Sequence, residues 1–209
     1  MIFCDIGNTH LHFYDKKTIW RVLPDNLGKL PLDCDVYYIS VCEEHTQKLL
    51  KKHKNSFDIS ECIKIDTDYK GMGVDRRAAC KSVSDGVIVD AGSAITIDVM
   101  HEGRHLGGCI MAGLMAYSKM FSGISSALDK PLNSNVPLDS LPKNTQDALS
   151  FGVFKGLCMT IQTLSEGRKI FFTGGDGKFL SKFFENSIYD EMLVFRGMEL
   201  GLKSMLQRR

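Results

Sequence analysis

Two stretches of this chain carry the same pattern of apolar and polar positions. In the first, Ile2-Phe3-Cys4 runs into Asp5-Ile6-Gly7-Asn8-Thr9, and a second apolar run follows at Leu11–Tyr14. In the second, Val87-Ile88-Val89 runs into Asp90-Ala91-Gly92-Ser93, followed by Ala94-Ile95-Thr96-Ile97-Asp98-Val99. A short apolar run bounded by a turn reads as a buried strand, and the run beyond the turn can pair back as a hairpin. Each copy places an Asp at the strand end, a Gly that lets backbone approach a ligand, and a small polar donor. Amide dipoles and a hydroxyl suit phosphate oxygens, while the carboxylate suits a cation. Two copies predict a duplicated fold with phosphates clamped between its halves.

The rest of the pattern alternates strands and helices, as an α/β chain does. Val36–Val41 and Ile63–Ile65 read as strands. Glu43–Lys54 reads as a helix with Leu49 and Leu50 inward, and Val74–Ser82 as another. After the Asp90 hairpin, His105–Ile110 continues the sheet and Met115–Leu128 is helical. Thr145–Ser165 is the longest helix, with Ala148, Leu149, Phe151, Leu157, Ile161 and Leu164 as its expected core face. Lys169–Thr173 reads as a strand, a helix starts at Lys178, Met192–Phe195 reads as a strand, and Gly197–Leu206 closes the chain as a helix. The restart at Val87 divides the chain into expected halves 1–84 and 85–209.

Composition narrows the function classes. At 209 residues the chain can bury a sizeable core. Its formal net charge of +1 gives no bulk basic surface for nucleic acid. The seven cysteines are an odd number without a C-x-x-C pair, which points to a reducing, cytoplasmic setting. No apolar run is long enough for a bilayer, and no signal peptide is evident.

The remaining motifs each have a plain structural reading beside a functional one. Gly73-Val74-Asp75-Arg76 can simply open a helix, with Asp75 favoured by the dipole. In a kinase, Asp75 would accept a hydroxyl proton and Arg76 would hold a carboxylate. Thr173-Gly174-Gly175-Asp176 is either a flexible strand-to-helix turn or a surface for a base or ribose. Gly107-Gly108 through Gly113 suits a strand with a close neighbour. Asn144-Thr145 reads locally as a helix cap, and Tyr69 as a half-buried packing residue. The six histidines have no ligand spacing, and Ser93 has no His partner to make it a nucleophile.

Taken in order, Asp5-x-Gly-Asn-Thr, Gly73-x-Asp-Arg, Asp90-x-Gly-Ser-Ala, Gly107-Gly108…Gly113, Asn144-Thr145 and Thr173-Gly174-Gly175 resemble the type III pantothenate kinases, of the acetate and sugar kinase/Hsc70/actin superfamily. The resemblance runs nearly from end to end. It implies a duplicated actin-like (ribonuclease H-like) α/β fold, with two mixed sheets flanked by helices and the site in the cleft between the halves. It implies a homodimeric cytoplasmic enzyme that phosphorylates pantothenate with ATP, opening coenzyme A synthesis. Asp5, Ile6, Gly7, Asn8, Thr9, His10, Leu11 and His12 would form the first phosphate loop, with Asp5 near magnesium. Tyr69, Gly73, Val74, Asp75, Arg76 and Thr145 would meet pantothenate, with Asp75 as proton acceptor. Asp90 would bind potassium or ammonium, and Ser93 would touch ATP. The resemblance leaves open which subunit supplies each substrate contact. Ser93 stands where the family usually has Thr, Ala112 where it has Pro, and the approach to Gly73 is short. A kinase for another small hydroxy acid, or a nucleotide-binding regulator without activity, shares the same motifs.

Overall fold

The protein is described by a computed structural model that covers residues 1–27 and 34–207. The first apolar runs form β1 (Ile2–Ile6), β2 (Leu11–Tyr14), β3 (Ile19–Val22) and β4 (Val36–Ser40). Helix α1 (Glu43–Lys52) links β4 to β5 (Ser56–Asp58). A two-residue strand, β6 (Asp66–Thr67), precedes α2 (Val74–Lys81). The second series is β7 (Gly86–Ala91), β8 (Ala94–His101), β9 (Arg104–Ala112), α3 (Leu114–Ile124) and α4 (Thr145–Ser165). It ends with β10 (Ile170–Thr173), α5 (Gly177–Leu180), β11 (Ser187–Tyr189) and α6 (Leu193–Leu206).

The duplication is written in the strand order. One sheet runs β3-β2-β1-β4-β5 and the other β11-β10-β7-β8-β9-β6. Read from β9, the second repeats the first, β9-β8-β7-β10-β11, with β6 added at its edge. The directions repeat too: β1 is parallel to β4 and β4 to β5, as β7 is to β10 and β10 to β11. Each leading strand ends at a matching turn, closed by Gly7 N–H to the His10 carbonyl at 3.0 Å and by Gly92 N–H to the Ala94 carbonyl at 3.0 Å. Asp5 and Asp90 are therefore both the last residue but one of their strands.

Two compact units divide the chain. One comprises Met1–Ser84, Met100–Gly107 and Glu191–Arg209; the other comprises Asp85–Val99 and Gly108–Asp190. The expected halves were continuous in sequence, whereas the units are not. Helix α6 returns to the first unit, where Leu193, Val194, Phe195, Met198 and Leu202 are buried and α2 packs against the helix. Gly197 makes that contact close: a Cβ there would collide with the backbone carbonyl of Ala78. The core of the first unit gathers Ile2, Cys4, Ile6, Leu11, Phe13, Val36 and Leu49. That of the second gathers Val87, Val89, Ile95, Ile97, Phe154, Leu157, Ile161 and Phe172. Each such fully buried side chain contributes about 1.5–3 kcal/mol of transfer free energy.

Helix α4 has the expected bounds because both ends are signalled. Asn144 caps the start, its side chain accepting from Asp147 N–H at 2.9 Å. Glu166 ends it in the left-handed region with φ 47°. Its buried face differs from expectation: Val153 and Phe154 are inside with Leu157 and Ile161, while Ala148 is exposed. Two expected strands are absent. Among the described residues, 63–65 pair with no strand, the sheet edge being β5 instead, and Leu193–Phe195 is the first turn of α6. A run of three or four apolar residues fits either period, and the partner decides.

Candidate active site

In the first unit, β1 runs between β2 and β4, so Asp5 is held from both sides: it lies opposite His12 on β2 and Ile39 on β4. Its carboxylate is half-buried, with Oδ1 inside the protein. Burial, and then the Asp5 charge, push the Cys4 thiol well above its usual range. The following turn exposes Asn8 and Thr9 to solvent, with Gly7 and His10 half-buried beside them. Its base is clamped from α1: His45 Nδ1 is 2.8 Å from the Gly7 carbonyl oxygen. A carbonyl only accepts, so Nδ1 carries the proton.

The same unit brings together Tyr69, Gly73, Asp75 and Arg76. Gly73 caps α2 and Asp75 lies in its first turn, where the helix dipole favours negative charge. Asp75 Oδ1 accepts from Arg76 N–H at 2.8 Å. The carboxylate thereby folds back over Gly73, where a Cβ would sit 2.5 Å from Oδ1. Arg76 is buried, at 6% exposure. Its guanidinium carbon lies 4.8 Å from the centroid of the Tyr69 ring, and a cation over an aromatic face is attracted to it.

In the second unit Asp90 is the last residue but one of β7, opposite Thr173 on β10. Gly174 turns there with φ +80°, and a Cβ on it would lie 2.5 Å from Asp90 Oδ1 and 2.6 Å from the Ala91 carbonyl. The turn is tied back by Asp176 N–H to that carbonyl at 3.0 Å. Burial pushes the Asp176 carboxyl above its ordinary value. Ser93 is exposed, and its carbonyl accepts from Gly113 N–H at 3.2 Å. Thr145 is the exposed first residue of α4. Its neighbour Asn144 is occupied as the cap and also donates to Asp147 Oδ2 at 2.6 Å.

Sequence reasoning passed over His45, Thr67 and His105. Thr67 Oγ1 is 2.8 Å from His105 Nδ1 and accepts from Tyr69 N–H at 3.0 Å. His45 and His105 each meet a partner 38 residues away, and no local spacing signals such a pair.

The duplicated sheets, with an aspartate and glycine turn near the end of each leading strand, define the actin-like ATPase and sugar kinase fold. A 2-dehydro-3-deoxygalactonokinase structure from Sinorhizobium meliloti shares that fold with a TM-score of 0.56 at 7% identity, covering 98% of both chains. The sequence model of the type III pantothenate kinases matches residues 35–166. The Helicobacter hepaticus type III pantothenate kinase is 50% identical over 99% of this chain and 100% of its own. A Campylobacter jejuni crystal structure, described as a Baf family transcriptional activator, has a TM-score of 0.88 at 42% identity, covering 99% of this chain and 100% of its own. The chain belongs to the type III pantothenate kinase family.

Proposed function

We propose that this protein transfers the γ-phosphoryl group of ATP to the terminal hydroxyl of pantothenate, giving 4′-phosphopantothenate at the start of coenzyme A synthesis. Beside family membership, the observation that carries this reading is the Asp75–Arg76 arrangement. Asp75, a carboxylate in the first turn of α2, is followed in sequence by Arg76, whose backbone N–H donates to it and whose buried guanidinium stacks on Tyr69. Arg76 holds the substrate carboxylate, and Tyr69, Gly73 and Val74 line its place. Thr145 adds a further contact. Asp75 accepts the hydroxyl proton while the hydroxyl oxygen bonds to phosphorus, the bond from phosphorus to the bridging oxygen breaks, and ADP leaves.

Phosphoryl transfer requires positioning and charge neutralisation more than covalent chemistry from the protein. The turn from Asp5 through His12 and the hydroxyl of Ser93 orient the phosphates. The donor sets fit the cations. Asp5 offers a half-buried carboxylate of the kind magnesium takes beside phosphates. Asp90, the Ala91 carbonyl and the close Gly174 backbone form an oxygen-rich corner suited to potassium or ammonium. Bound there, these ions neutralise phosphate charge.

The enzyme works as a homodimer. Helix α3 supports this: its sequence LMAYSKMFSGI is largely apolar, yet none of its residues is buried. Met115 is 70% exposed and Ile124 64%, and such apolar surface suits a second copy of the chain. A bacterial cytoplasm is supported by seven free thiols. Among the described residues, no helix is long and apolar enough to cross a membrane.

The test is phosphorus NMR of the product. With ATP, magnesium and potassium, pantothenate acquires one phosphate ester, and sodium in place of potassium slows its formation. ATP consumed without a pantothenate ester would overturn the reading.

A further inference from the structure

We propose that Thr67 and His105 are positioning residues for substrate recognition. They set the place of Tyr69 and, through its ring, that of the Arg76 guanidinium. The inference rests on the reading above, in which Arg76 meets the substrate.

Strand β6 has two residues, Asp66 and Thr67, in register with Arg104 and His105 of β9. Two ladder positions fix little of the chain that follows. Side-chain bonds then decide where Tyr69 goes. The Thr67 hydroxyl lies 2.8 Å from His105 Nδ1 and 3.0 Å from the Tyr69 backbone nitrogen. A hydroxyl has one proton and two lone pairs, so it holds both at once whichever tautomer His105 adopts. His105 is an anchor at 2% exposure. Its ring also lies 5.9 Å from the Tyr69 ring, tilted by 54°.

Packing alone does not hold Tyr69. Its ring borders a cavity of about 370 Å³ lined by Asp68, Tyr69, Arg104, His105, Leu106 and Gly107. A Tyr69 released from Thr67 therefore has room to move, and the guanidinium 4.8 Å above it loses its support. A further link across this edge, Arg104 to Asp68, is solvent-exposed, and exposed pairs hold geometry weakly. Displacing the group that holds the substrate carboxylate weakens that hold in the ground state and the transition state alike.

The test uses Thr67→Val, which keeps the shape and removes the hydroxyl, with Thr67→Ser as the rescue. In Thr67→Val the KM for pantothenate rises about tenfold, kcat stays within about twofold and the KM for ATP is unchanged, since the error is one of substrate placement. Thr67→Ser restores the wild-type KM. Independently of any substrate, amide exchange at Tyr69 speeds up about tenfold in Thr67→Val, because that N–H has lost its acceptor. A folded Thr67→Val with wild-type pantothenate KM, or with both KM values raised together, overturns the inference. So does unchanged exchange at Tyr69. If the wild type does not phosphorylate pantothenate, the functional reading fails, and Tyr69 exchange alone decides whether the relay exists.

Discussion

The Arg76 guanidinium lies over the Tyr69 ring, 4.8 Å from its centroid. The stack orients a planar fork, the group proposed to hold the substrate carboxylate, and a lysine ammonium does not reproduce that fork. Arg76→Lys is therefore expected to raise the pantothenate KM by about tenfold or more, the cost of a charge-assisted hydrogen bond. The ATP KM should stay close to the wild-type value. Steady-state kinetics with each substrate varied in turn checks this.

Asp75→Asn keeps the acceptor oxygen for Arg76 N–H and removes the carboxylate proposed as proton acceptor. Turnover is expected to fall by about 10²–10⁴, the range of a positioned general base. The melting temperature and the pantothenate affinity should stay near wild type. A variant within about threefold of the parent's turnover would show that Asp75 is not the base.

The Asp75 turn was visible in the sequence only as a motif, and the reasons separate local from distant chemistry. The Asp5 and Asp90 turns were legible because strand, carboxylate and glycine are contiguous, and their repetition foretold the repeated strand order. The start of α4 was legible because Asn144 is a local capping residue. The Met192–Phe195 run was misread as a strand because its buried partner, α2, lies more than a hundred positions earlier. Return of α6 to the first unit was hidden for the same reason. The links from His45 to Gly7 and from His105 to Thr67 have no periodic signature. The stack of Arg76 on Tyr69 depends on how a two-residue strand is placed, which composition does not encode.

Two glycines separate activity from stability. In Gly73→Ala the atom that must give way is the Asp75 carboxylate oxygen, so turnover falls while the melting curve hardly moves. In Gly197→Ala the obstacle is the Ala78 backbone, so the α2–α6 contact must open, at a cost of about 1–3 kcal/mol. Denaturant unfolding together with kinetics on both variants checks the contrast.

His12 confers a pH dependence on stability. Burial, then the charges of His10 and Arg21, lowers its pKa below the ordinary 6.5. A group depressed in the folded state contributes stability that is full above pH 6.5 and lost as the pH falls through the folded value. Thermal melting from about pH 7 down to pH 5, above the usual carboxylate range, should decline more steeply for wild type than for His12→Gln.

The exposed face of α3 predicts its own test. A charge at Ile124, which is 64% exposed, leaves a monomer fold undisturbed but is costly against a second copy. Ile124→Glu should halve the mass seen by light scattering and keep the wild-type circular dichroism. An unchanged dimer mass would place the subunit contact elsewhere, and a wild type already at monomer mass would contradict the dimer.

The reaction is read out by ADP release from the purified protein, supplied with ATP, magnesium and potassium, with and without pantothenate. Release is expected to depend on pantothenate and to fall by about 10² or more in Asp75→Asn. Nucleotide binding by the folded protein without pantothenate-dependent release would contradict the proposed reaction, and would favour a regulator or a kinase for another small hydroxy acid.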